Sequence, residues 1–208
     1  MPNQSHERQE FRAAGGLIVK KYTKWLEQHP DLPVLFASDT EFDLRVKFMD
    51  DEPFKKNLQL SSKPQSNCTV LGFTDFLHGK PTIYINRDQY AKSTLIHELL
   101  HFFTHKNFND NISGPLNEGV TEYFTRKVQG NAPDVQQFSP FKVARTAYKN
   151  EYESVVATRK FIKDILVPGG GTDLGDPGWD DALVKRAYFQ GDLAMIKLLK
   201  ENSSLKFN

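Results

Sequence analysis

Residues 94–108, TLIHELLHFFTHKNF, hold three of the chain's six histidines at four-residue intervals, His97, His101 and His105, with Glu98 directly after the first. Leu95, Ile96, Leu99, Phe102 and Phe103 recur at helical spacing, which predicts a helix over 88–108 with Asp88 as its N-cap. Residues four apart on a helix share one face, about 6 Å apart along the axis, so His97 and His101 can turn both imidazoles toward one ion. Glu98 is rotated from that stripe by about 100° and can reach a water on the open side of the metal, the position of a general base. The competing reading is a surface helix with solvated histidines, and the rest of the chain has to decide between them.

Composition narrows the ligand choices. The lone Cys68 excludes an internal disulfide framework and a cysteine zinc knuckle, leaving His and carboxylates as metal ligands. A net charge of +1 with acids and bases interspersed shows no basic stripe for nucleic acid and no cationic amphipathic helix for a membrane surface. At 208 residues and 38% apolar the chain can bury one sizeable core. We expect a tail over 1–9 and one domain over 10–208, made of a helix and sheet (10–87) and a helical part (88–208). The opening MPNQSHERQEF has no apolar h-region and no apolar run is long enough to span a bilayer, so a cytoplasmic protein is expected, with export by a signal-peptide-independent machine as the alternative.

Outward from the His-rich stretch, helical spacing from Phe11 to Leu26 predicts a first helix stopping by Pro30 and anchored by Trp25. Three runs predict strands: VLFASDTEFDLRVKFM (34–49), CTVLGFTDFL (68–77) and PTIYINR (81–87), with DDEPFKKN and SSKPQSN read as turns between them. Downstream, PLNEGVTEYFTRKVQG predicts a helix from Pro115 to Gly130 with Arg126 and Lys127 in its last turn. A helix over 140–165, a glycine-rich connection VPGGGTDLGDPG and one last helix, WDDALVKRAYFQGDLAMIKLLKEN, complete the chain. Strands first and helices after indicate an α+β fold, a small mixed sheet packed on the His-bearing helix and followed by a helical subdomain.

Catalytic zinc usually takes three protein ligands plus water, so His97 and His101 need a third. His105 lies two turns from His97 and well rotated from that stripe, and we assign it to a helix end instead. The 115–130 helix carries Glu118 and Glu122 on one face, so that one can bind metal while the other accepts the N–H of a metal-bound imidazole.

HExxH followed by a downstream NEG helix resembles the gluzincin metallopeptidases, the group of thermolysin, the aminopeptidase N-like enzymes and the glycyl aminopeptidases. The resemblance implies a zincin-like fold, a Zn²⁺ cofactor, and His97, His101 and Glu118 as its ligands, with Asn117 and Glu122 supporting them. The EGVTEYF run is similar to that of the aminopeptidase branch, while the 16 residues between His101 and Glu118 are slightly fewer than the family's common spacing. AYFQG resembles that branch's Y-x-K-G segment, with Gln190 in place of the lysine. This implies that Tyr188 donates to the oxyanion of the tetrahedral intermediate, with Tyr123, Tyr148 and Tyr152 as fallbacks; the alternative is a tyrosine packed in the core. No GxMEN segment precedes HExxH, which disfavours an aminopeptidase and points to an endopeptidase binding its peptide or protein substrate along the edge of the PTIYINR or LGFTDFL strand. Deployment as a secreted toxin or effector, with an inhibitor or immunity partner, and a non-catalytic zinc-bound peptide-binding module are the alternatives.

Overall fold

The computed structural model describes residues 4–27, 29, 39–61, 70–76, 81–130, 150, 153–155, 157, 158 and 179–203. It is mixed α+β, and it divides into two compact units, Met1–Phe103 with Thr125–Ala147, and Thr104–Phe124 with Tyr148–Asn208. Both boundaries between the first unit and residues 104–124 fall in chain without a linker composition, which is why they carry no sequence signal.

The first unit opens with α1 (Gln4–Leu26), so residues 4–9, expected as a tail, are helical. Long-range partners hold them there: Arg87 Nε donates to the buried Glu7 carboxylate at 2.6 Å, and the Tyr90 hydroxyl donates to Glu10 at 2.5 Å. The buried stripe of α1 is Phe11, Ala14, Ile18, Tyr22 and Leu26, while Trp25, expected as the anchor, is only half-buried. Residues 39–45, expected as strand, form α2 (Asp39–Arg45). On it Asp39 and Asp43 meet Arg12 and Arg8 of α1, and Phe42 sets its ring edge-on to Phe11 at 5.2 Å. These contacts override the local β propensity of the run.

β1 (Val46–Met49) follows, and the expected turn after it is a helix, α3 (Asp51–Leu60). Pro53 sits in the first turn of α3, where a missing N–H costs nothing, and Asp51 and Glu52 suit the positive end of the helix. β2 (Gly72–Asp75) and β3 (Thr82–Asn86) complete a mixed sheet in the order β1-β3-β2, β1 parallel and β2 antiparallel to β3. Of the two runs offered as a substrate edge, PTIYINR is therefore central and LGFTDFL is, among the described residues, an edge. Strand alternation gives one face Gly72, Thr74, Ile83 and Ile85 and the other Phe73 and Tyr84, whose rings stack at 4.7 Å and pack on Phe54 of α3. Burial and the Asp75 carboxylate push the Tyr84 hydroxyl upward.

Across the face of Gly72, Thr74, Ile83 and Ile85 lies α4 (Lys92–Phe102), packed on β2, β3 and α1. It begins at Ala91, not at Asp88, whose carboxylate instead accepts from the backbone N–H of Asp51. Leu95, Ile96, Leu99, Phe102 and Phe103 are all buried as expected, and so is Leu100. Each such side chain contributes about 1.5–3 kcal/mol on burial, which outweighs the cost of enclosing the polar residues between them.

The second unit contains α5 (Lys106–Asn111), the start of α6 (Gly114–Val128), α7 (Trp179–Gln190) and α8 (Leu193–Asn202). The predicted 88–108 helix is thus interrupted at Phe103–His105. His105 is the N-cap of α5, its ring Nδ1 accepting from Asn107 N–H at 3.0 Å. The predicted last helix is broken too, at Gly191 and Asp192. Gly191 adopts φ +64°, and Asp192 caps α8 by accepting from the N–H groups of Ala194 and Met195. Burial would raise the Asp192 carboxyl, but the Met195 N–H, Arg186 and the Ala194 N–H hold it below its ordinary range. Most of the predicted 140–165 helix, the glycine-rich connection, Tyr148, Tyr152 and Cys68 lie outside the described residues. Among the described residues no helix is long and apolar enough to cross a membrane.

Candidate metal centre

The helical period of α4 delivers the geometry that its spacing implies. His97 and His101 are 7% and 3% exposed, and their Nε2 atoms lie 3.2 Å apart. Two imidazole nitrogens on a tetrahedral zinc, each at 2.0–2.1 Å from the ion, are separated by about 3.3 Å, so this pair is already spaced as two ligands. The Thr125 hydroxyl stands 3.4 Å from His97 Nδ1. With the proton on Nδ1 directed at Thr125, His97 Nε2 carries the lone pair that a metal ion needs.

Glu118, on α6, supplies the third group. One ligand atom from each of His97, His101 and Glu118 lies within 4.8 Å of the others, and this is the metal-competent cluster among the described residues. Two imidazoles and one carboxylate are a donor set that zinc accepts. The resemblance named these three residues, and the structure brings them together.

Glu98 stands on the sheet side of α4 and is 5% exposed. Thr74 Oγ1 on β2 donates toward its Oε2 at 3.0 Å and lies 3.1 Å from its main-chain oxygen. Gly72 lets β2 approach: a Cβ there would lie 2.8 Å from Glu98 Cγ and 3.0 Å from Thr94 Cγ2. A carboxylate so enclosed, with one hydroxyl as its hydrogen-bond partner among the described residues, is costly to the fold unless a positive charge is near.

Glu122 is buried one turn after Glu118, as a residue of the ligand face would be. Thr125 occupies the same stripe of α6 and has its hydroxyl beside His97 Nδ1. Asn117 ties α6 to α5 by donating to Asn109 Oδ1 at 2.9 Å. Its own Oδ1 accepts from Thr121, whose hydroxyl oxygen is 2.7 Å from the Tyr188 hydroxyl. Tyr188 is 0% exposed and packs among Phe108, Phe124 and Phe189. The Tyr188 ring is core, the alternative that the sequence left open, and its hydroxyl pairs with that of Thr121, either of which can donate. Tyr123, a fallback donor, is also buried.

Thr74 and Thr125 were not legible in the sequence. Thr125 had a faint signal in its position seven residues after Glu118, on the same helical face; Thr74 had none. Set against protein-family models, curated proteins and solved structures, the chain matches none.

Proposed function

We propose that the chain is a zinc-dependent peptidase, an endopeptidase of gluzincin type. The observation that carries the reading is the cluster of His97, His101 and Glu118 with the enclosed carboxylate of Glu98 one residue along the same helix. A site that only held the fold together would have no use for a second, buried acid beside the ligands. Zinc bound by these three residues would supply a Lewis acid and a water of lowered pKa. Glu98 accepts the proton of the attacking water and delivers it to the leaving amine nitrogen. His97 and His101 are held by the packing of α4, and Thr125 orients the His97 ring. An extended peptide is placed along β2, the edge strand whose inner face carries Gly72 and Thr74 beside Glu98.

The test is zinc per chain, by elemental analysis, together with hydrolysis of a proteome-derived peptide library by wild type, Glu98→Gln and Glu118→Ala. Wild type is expected to bind one zinc and cleave internal peptide bonds. Glu98→Gln should keep the zinc and lose activity by a factor on the order of 10² to 10⁴, the range of a general base, and Glu118→Ala should lose zinc. Zinc without turnover in the wild type would reduce the site to a binding module, and undiminished zinc in Glu118→Ala would remove the ligand assignment.

A further inference from the structure

We propose that strand β2 positions the Glu98 carboxylate, with Thr74 as the residue that holds it and Gly72 as the clearance that lets the strand close on it. This rests on the peptidase reading of the same site. A glutamate side chain has three rotatable bonds, and a reacting group has to be held within about 0.5 Å of its productive position. Nothing on α4 itself does this: among the described residues the hydrogen-bond donor to the Glu98 carboxylate is Thr74, 24 positions earlier in the chain. The same hydroxyl is 3.1 Å from the Glu98 main-chain oxygen, so it is referenced to the helix backbone while it grips the side chain. Gly72 and Thr74 are two apart, on one face of β2, opposite Ile85 and Ile83. Gly72 lies against the methylenes of Glu98 and Thr74 against the carboxylate, so the strand bounds the side chain along its length. With Oε2 engaged by Thr74, Oε1 is the oxygen left to exchange a proton with the reacting groups. Thr74 is thus a positioning residue, acting through Glu98.

The test compares Thr74→Val, which removes the hydroxyl and keeps the shape, with Thr74→Ser, which keeps the hydroxyl, and with Gly72→Ala, which obstructs the strand. Thr74→Val should lower kcat about 10- to 100-fold, the scale of a misplaced catalytic group, with KM and zinc content unchanged, and Thr74→Ser should recover most of the loss. Gly72→Ala should lower kcat with zinc retained, and it carries the test if Thr74→Val does not fold. A readout independent of activity uses the metal-free proteins: the fall in Tm caused by Thr74→Val should shrink by about half in a Glu98→Ala background, because the partner is already gone. A Thr74→Val kcat equal to wild type, an equal loss in Thr74→Ser, or strictly additive Tm changes would each overturn the proposal. If the wild type cleaves no peptide, the peptidase reading fails, and the Tm coupling still decides whether Thr74 holds Glu98.

Discussion

The Tyr188 hydroxyl lies 2.7 Å from that of Thr121, and the residue is 0% exposed. That residue-level fact separates Tyr188 from the role its place in AYFQG suggested, because an oxyanion donor has to be exposed to the substrate and Tyr188 is fully buried. Tyr188→Phe is therefore expected to leave kcat within about threefold of wild type while costing ~1 kcal/mol in urea unfolding, the usual net worth of a buried hydrogen bond. A loss of kcat by 10²-fold or more, with stability intact, would return the residue to the catalytic machinery. The contrast with His97 is instructive. Its place follows from spacing along its own helix, whereas that of Tyr188 depends on which rings, Phe108 and Phe124 among them, pack around it.

At the level of elements, two predicted helices are each broken where a residue pair gives a stop and a start. Gly191 ends α7 in the left-handed region and Asp192 caps α8, and the pair GD is a stop-and-cap signal that the continuous apolar period hides. The other break, at His105, is locked to this one: His105 N–H donates to Tyr188 O at 2.9 Å, and Asn107 Nδ2 donates to Gly191 O at 3.1 Å. A Cβ on Gly191 would lie 2.0 Å from His105 Nδ1, the atom that caps α5. Gly191→Ala should cost about 2–3 kcal/mol, adding a left-handed backbone penalty of about 1–2 kcal/mol to the loss of a cap worth about 1 kcal/mol. Equilibrium denaturation measures this, and a cost under about 0.5 kcal/mol would mean that the ring moves aside freely. Helix α6 shows the opposite case. Pro115 near its start and Gly130, at φ +73°, just past its end marked its bounds correctly, because both signals are local.

For the whole molecule, the metal cluster draws on two helices, α4 for His97 and His101 and α6 for Glu118. A ligand that binds the folded chain and not the unfolded one stabilises it by mass action, so zinc at a free concentration of about 100 Kd should add about 2.7 kcal/mol. Removing metal with a chelator is expected to lower Tm, readdition to restore it, and His101→Ala to abolish the response, all read by differential scanning calorimetry. A Tm indifferent to chelator and zinc in the wild type would mean that the cluster holds no ion. Zinc binding should also weaken as pH falls, because both imidazoles must be unprotonated to ligate.

The sequence alone determined what depends on near neighbours: the two-imidazole face of HELLH, the buried Leu and Phe positions of α4, the carboxylates of α6 and the bounds of that helix. These follow from the helical repeat and from the conformational limits of proline and glycine, which act within a few residues. Tertiary structure decided what depends on distant partners. Arg87 and Tyr90 hold Glu7 and Glu10 of α1 from 80 positions away, the Arg8 and Arg12 pairs turn a predicted strand into α2, and β2 brings Thr74 onto Glu98. A hydroxyl, unlike a helical period, has no direction in a sequence; its partner exists only once the chain has folded around it.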